Sequence, residues 1–207
     1  MKAIVFDSGT LISFSMNGML DLIKKLKDVF KGRFLITNEV KKEIIDKPLT
    51  IKRFELEGLR LKQLLDQGVL ELPSAIGVKE AELSKKIEEV MKVSNNTYVG
   101  SKGPINLIAR GEASCFALSS LLIKKKIKNV MAVDERTARS LIEKPDELGK
   151  YLGKKLHTKI TLNTQNCKFF SQFKIIRSSE LVYIAYKKGL VDLKNGSTVL
   201  DALLYAV

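Results

Sequence analysis

Residues 4–12 read IVFDSGTLI, a short apolar run that ends on an acid, Asp7, and then breaks into Ser8, Gly9 and Thr10. Taken with the residues before it, KAIVFD (2–7) has the pattern of a buried strand: continuous, partly β-branched and stopped by turn residues. NVMAVD (129–134) repeats the arrangement and finishes on Asp134. Between the two, RFLIT (33–37) and VLELP (69–73) read as further strands, and helices alternate with them. Residues 16–30 place Met19, Leu22, Ile23, Leu26, Val29 and Phe30 at helical spacing. NEVKKEII follows the second strand as a helix that Thr37 or Asn38 could cap. Further helices are expected at 51–67, closed by Gly68, and at 79–92, 109–126, 135–143, 178–191 and 198–207, with a polar loop over 93–104. The alternation predicts an α/β fold with a parallel sheet. In such sheets the ligand crevice lies beyond the carboxyl ends of the strands, which is where Asp7 and Asp134 would stand.

A chain of 207 residues, 45% hydrophobic, suits a single domain over 1–207 with a core that needs no covalent staples. No uninterrupted apolar stretch is long enough to cross a bilayer. The opening MKAIVFD meets an acid too early for a signal peptide, so no membrane partner and a cytoplasmic location are expected. Cys115 and Cys167 lie far apart and the lone histidine is His157, which argues against structural zinc and against a disulfide framework. Cys115 reads as a small core residue. The net charge of +13, from 36 Lys+Arg against 23 Asp+Glu, draws polyanions. Nucleic acid is the first candidate and an anionic membrane surface the second, while a Lys-rich solvated face is the plain alternative.

The segment 144–175 departs from the alternation. TKITLNT alternates like a hairpin strand and KFFSQFK reads as its mate, so the segment is expected to be an inserted, basic β-hairpin arm carrying Lys154, Lys155, Lys159, Lys168 and Lys174. Phe169, Phe170 and Phe173 would either stack on bases or pack the arm against the domain. His157 reads as solvated or in contact with RNA.

VFDSGTL resembles the aspartate motif of haloacid dehalogenase-like phosphatases, in which a second acid two positions on serves as proton donor. Here that position is Gly9, and a leaving group would lack its acid. A different set of acids stands out by context: Asp7 and Asp134 at strand ends, Glu43 in TNEVKKEII, and Glu112 at the start of the helix in ARGEASCFALSS. With these, the ordered pieces IVFDSGTLI, ITNEVKKEII, RGEASCFALSS, VMAVDERTAR and KIIRSSELVYIAYKKGLVD resemble the PIN-domain family of metal-dependent ribonucleases, which includes the VapC toxins. The resemblance spans about residues 2–192 and implies a three-layer sandwich around a central parallel sheet. It also implies that Asp7, Glu43, Glu112 and Asp134 bind Mg²⁺ or Mn²⁺ and catalyse hydrolysis of RNA, supported by Ser8 or Thr10. Family members often carry Ser or Asn two positions after the first acid, where this chain has Gly9. A homodimer and an antitoxin-type inhibitor protein are further partners that the resemblance implies.

The physical reading stands beside it. Four ionised carboxylates in one crevice repel each other unless a cation takes their charge, and a hard divalent ion prefers oxygen ligands. Arg136, Arg139, Lys154, Lys155, Lys159 and Lys168 would hold the RNA backbone. Each acid also has a plainer reading. Asp7 could cap a turn, Asp134 could cap the helix at 135–143, and Glu112 could simply favour its helix N-terminus. Glu43 competes with Glu39 one turn earlier, and Arg136 and Arg139 could pair with acids at the rim. Glu135 and Asp201 are expected in solvent. A non-catalytic RNA-binding or ribosome-associated module on the same fold is the alternative to a nuclease.

Overall fold

A computed structural model of the chain describes residues 1–192 and 196–207. Strand β1 (Lys2–Phe6) leads into α1 (Ser8–Met16) and α2 (Leu20–Phe30), followed by β2 (Arg33–Leu35) and α3 (Asn38–Lys41). The last of these runs on as a π-helical turn, Lys42–Asp46. Next come α4 (Glu55–Asp66), α5 (Glu80–Asn95), a hairpin of β3 (Tyr98–Gly100) and β4 (Gly103–Pro104), α6 (Arg110–Lys124) and β5 (Lys128–Ala132). The chain closes through α7 (Arg136–Glu143), α8 (Pro145–Leu156), β6 (Thr161–Leu162), α9 (Thr164–Phe170), β7 (Ile175–Ile176), α10 (Ser178–Lys187) and α11 (Gly196–Ala206).

The main sheet is parallel throughout, in the order β2-β1-β5-β7. Residues 69–73 do not form a full strand. Only Glu71 joins the sheet, bridging Leu35 at the outer edge of β2. Side chains alternate across the pleat, and both faces are covered. Ile4, Phe34, Val130 and Ile176 line one cleft with Leu26 and Phe30 of α2 and Leu181 and Ile184 of α10, and the rings of Phe30 and Phe34 lie 5.6 Å apart. The alternate row, Val5 between Leu35 and Met131, is fully buried on the face where α6 packs over β1 and β5, with α5 behind it. Burial on both faces explains why these strands are apolar without interruption. The fold is therefore α/β, a parallel sheet flanked by helices, accompanied by a small antiparallel sheet in the order β4-β3-β6. Among the described residues no helix is long and apolar enough to cross a membrane.

Three local expectations need correction. Residues 16–30 are not one helix. Gly18, at φ +68°, breaks the chain between α1 and α2, and the SGT that follows Asp7 is the first turn of α1 rather than a loop. The expected loop 93–104 contains the β3–β4 hairpin. The segment 144–175 is not a two-stranded arm. Thr161–Leu162 does enter an antiparallel sheet, but its partner is β3, at Tyr98 and Val99. The proposed mate, KFFSQFK, is largely the helix α9.

The segment belongs to the core. Leu148, Leu152, Phe170 and Phe173 are buried, and Phe116 of α6 meets the rings of Phe170 and Phe173 edge-on at 5.2 and 5.1 Å. Packing is thus what Phe170 and Phe173 do, and the half-buried Phe169 joins the same cluster.

Candidate metal centre

The sheet order changes direction at β1. From β1 the chain passes to β2 on one side, and β5 later takes the other side. At such a switch point the crossover helices part and leave a crevice at the strands' carboxyl ends. Asp7 and Asp134 flank it. The backbone N–H of Asp7 donates to the Ala132 carbonyl (3.0 Å), which extends the β1–β5 ladder to the rim of the crevice. Asp7 is 4% exposed and caps α1, with Oδ2 accepting the Gly9 N–H at 3.3 Å. The cap and the crevice position are therefore the same geometry. Oδ1 is left with one weak donor, the buried Cys115 thiol at 3.9 Å.

Asp134 does not cap α7. Glu135 does, accepting the Ala138 N–H at 2.6 Å. Half-buried there, Glu135 is not the solvated residue expected. Asp134 is instead held from two sides. Thr10, fully buried on α1, donates to Oδ2 at 3.0 Å, while the N–H and hydroxyl of Ser178 at the start of α10 both donate to Oδ1 at 2.9 Å. Of the two supports expected for the acids, Thr10 makes a hydrogen bond to one of them. Ser8 contributes its backbone N–H, which helps hold the Asp7 carboxyl down. Ser178 was not legible, because its role depends on a contact with a residue 44 positions away.

Glu112 lies in the first turn of α6 and accepts the Ala109 N–H at that helix's N-terminus. Glu43 reaches the same place from the π-helical turn after α3. The two elements are stitched together by Thr37, the N-cap of α3, whose buried hydroxyl lies 2.6 Å from that of Ser114 on α6. Gly111 allows the close approach: a Cβ there would stand 2.6 Å from Glu43 Oε1 and 2.9 Å from Oε2. Glu39, the competing acid, is committed elsewhere, to Lys42 and Arg110. Glu43 has no ion pair among the described residues.

The four carboxylates sense one another. Burial pushes the Asp7 carboxyl up to about 6, the Gly9 and Ser8 amides oppose the rise, and the charges of Glu43 and Asp134 add to it. Burial likewise pushes Glu112 up to about 7, against the Ala109 N–H and assisted by Asp7, Glu135 and Glu43. The Cys115 thiol is raised, chiefly by its burial, and stays protonated. Among the described residues, no group of three or more Asp, Glu, His or Cys side chains is gathered closely enough to hold one ion. Like charges favour this spread. In chemistry the set fits a hard divalent cation: every donor is a carboxylate oxygen, two of the acids resist ionisation, and Asp134 is oriented by Ser178 and Thr10 while its Oδ2, with the Thr10 hydroxyl as its one donor, keeps a lone pair for an ion.

The cations expected to hold RNA separate into groups. Arg136 and Lys155 line a pocket beside Glu135. Lys154, Lys159 and Lys168 are exposed on the 144–175 segment. Arg139 is half-buried, and its Nε is buried without a hydrogen-bond partner. None of these six forms an ion pair among the described residues, so neither arginine pairs with an acid at the rim.

The Gly111 contact yields a test of the Glu43 assignment. Gly111→Ala leaves the fold intact, because the colliding atoms are the end of an exposed, movable side chain and alanine favours the helix by up to about 1 kcal/mol. If these acids hold Mn²⁺, the substitution is expected to displace the Glu43 carboxylate and weaken binding about tenfold, as the loss of a supporting contact does at metal sites. Calorimetric titration with Mn²⁺ checks this; wild-type affinity in the variant removes Glu43 from the ligand set. No family model, curated protein or solved structure matches this chain.

Proposed function

We propose that this chain is a metal-dependent ribonuclease of the PIN-domain type. The observation that carries the reading is the meeting of Asp7 and Asp134 at the switch point of a parallel sheet, with Glu43 and Glu112 brought within electrostatic reach from the π-helical turn after α3 and from α6. Asp7, Glu43, Glu112 and Asp134 are the residues that would hold Mg²⁺ or Mn²⁺. The ion supplies a water activated for attack on phosphorus and offsets the charge that grows there.

The chain's own residues prepare the site. Thr10 and Ser178 fix the plane of Asp134, the Gly9 N–H fixes Asp7 through Oδ2 and leaves Oδ1 with the weak Cys115 thiol contact alone, and the Ala109 N–H leaves Glu112 one oxygen free. Burial keeps a proton on Asp7 up to about pH 6 and on Glu112 up to about pH 7, and a bound cation would displace both. The net charge of +13 draws the polyanionic substrate toward this otherwise acidic crevice.

One observation favours a second reading, a non-catalytic RNA-binding or ribosome-associated module: the acids are not gathered tightly enough to close on one ion. End-labelled single-stranded RNA incubated with Mg²⁺, with Mn²⁺ and with EDTA separates the two. The nuclease reading expects cleavage that stops in EDTA and falls by about a hundredfold or more in a folded Asp134→Asn variant. Tight RNA binding with no cleavage under either metal supports the module.

A further inference from the structure

Beside the acidic crevice is a pocket of about 430 Å³ whose walls come from three sources: the first turns of α7, immediately after Asp134, the helix α8, and Asn106 and Leu107 on the approach to α6. Tyr151 of α8 stands in its wall with 46% of its surface exposed. Two cations gather around that ring, the Arg136 guanidinium carbon 5.4 Å from the centroid and Lys155 Nζ at 6.0 Å. Like charges converge on one side chain here, and neither has a carboxylate partner among the described residues.

The acids of the pocket are already engaged. Glu135 caps α7 through the Ala138 N–H, and Glu147 pairs with Lys144 at 3.3 Å. The cations are thus left for an anion from outside, and the exposed ring for a flat apolar surface. A nucleotide offers both at once, a base for the aromatic face and a phosphate for the cations. Asn106 and Ser140 line the same pocket and offer donors and acceptors to a base edge.

We propose that this pocket is a nucleotide subsite of single-stranded RNA, in which Tyr151 stacks on a base and Arg136 and Lys155 hold the adjoining phosphate. The proposal rests on the nuclease reading for its placement next to the scissile bond. It assigns α8, a helix of the inserted segment, a role in the substrate path.

The test uses a fluorescein-labelled 12-mer oligouridylate and the full chain in EDTA, so that binding is read apart from cleavage. Tyr151→Ala is expected to weaken binding about tenfold and Tyr151→Phe to leave it within about twofold, since stacking needs the ring and not the hydroxyl. Arg136→Ala and Lys155→Ala each flatten the salt dependence by close to one phosphate contact. The chain contains no tryptophan, so Tyr151→Trp installs a single indole; its emission is expected to be quenched as RNA saturates the protein. Wild-type affinity in Tyr151→Ala, unchanged emission from Tyr151→Trp at saturation, or no binding of the 12-mer by the wild type overturns the proposal. RNA held through Tyr151 but never cut with Mg²⁺ or Mn²⁺ sinks the nuclease reading and leaves the subsite standing. Metal-dependent cleavage indifferent to Tyr151→Ala does the reverse.

Discussion

Asp7→Asn is expected to make the metal-free protein more stable while abolishing the nuclease activity proposed for it. The Asp7 carboxyl is 4% exposed and raised from 3.8 to about 6, first by burial. A folded-state pKa above the unfolded one means that the native chain holds a proton which the unfolded chain has released, between about pH 4 and pH 6. The corresponding stability is complete below that window and is lost as pH rises through about 6. Each pKa unit is worth about 1.4 kcal/mol, so ionised Asp7 costs the fold on the order of 3 kcal/mol at pH 8.

Asparagine keeps the shape of the side chain and an oxygen for the Gly9 N–H, and it carries no charge to desolvate. Its new amide hydrogens meet few acceptors, which trims the gain to about 1–3 kcal/mol. For a chain of this length that amounts to a rise in Tm of about 5 °C at pH 8, shrinking toward zero at pH 4. Thermal melts of both proteins in EDTA from pH 4 to pH 8 read this directly. A variant less stable than wild type at pH 8 would mean that the Asp7 charge is compensated within the protein, leaving no call for a cation.

The second large effect lies far from the crevice. Phe170→Ala is expected to cost about 3–5 kcal/mol, the usual loss for a buried phenylalanine whose cavity collapses only in part. Phe170 is fully buried against Phe116 and neighbours Phe169 and Phe173. Lys168→Ala, two residues away on an exposed position of the same helix, is expected to stay within about 0.5 kcal/mol of wild type. Urea unfolding measures both. A detachable arm would give an unchanged midpoint for Phe170→Ala; an integral part of the core gives a midpoint well below wild type. For the same reason, removing 148–173 takes Leu148, Leu152, Phe170 and Phe173 out of the core together and is expected to unfold the protein.

That segment shows where local pattern misleads. The alternation in TKITLNT marks a strand and the small strand exists, but the pairing partner sits more than sixty residues upstream, and strand periodicity carries no information about partners. KFFSQFK, with its three aromatic residues, is compatible with a strand by composition alone. Yet Asn163 caps α9 by accepting the Gln165 and Asn166 N–H groups, and that helix closes on Phe169 and Phe170, against whose rings Phe173 packs from the turn that follows. Helix α8 also announced itself, with Pro145 at its start, acids in its first turn and lysines in its last.

The crevice was easier to read. β1 is buried over Ala3–Phe6 and the chain at the end of β5 over Met131–Val133, so each approaches the crevice as an apolar run, and the acid that ends it contrasts with what precedes. Which of Glu39 and Glu43 belongs there was not decidable from spacing alone. Lys42 pairs with Glu39 locally, but Arg110 also draws Glu39 away and Gly111 admits Glu43, and these last two contacts belong to the packed fold rather than to either stretch of sequence.

The central claim is that these carboxylates together hold a divalent cation. Its most direct test is calorimetric titration of Mn²⁺ into the metal-free protein at pH 7.5, alongside Asp7→Asn and Asp134→Asn. Saturable binding by the wild type, weakened at least tenfold in both variants, is the predicted result. No binding at millimolar Mn²⁺, or binding of equal strength in all three proteins, would contradict it.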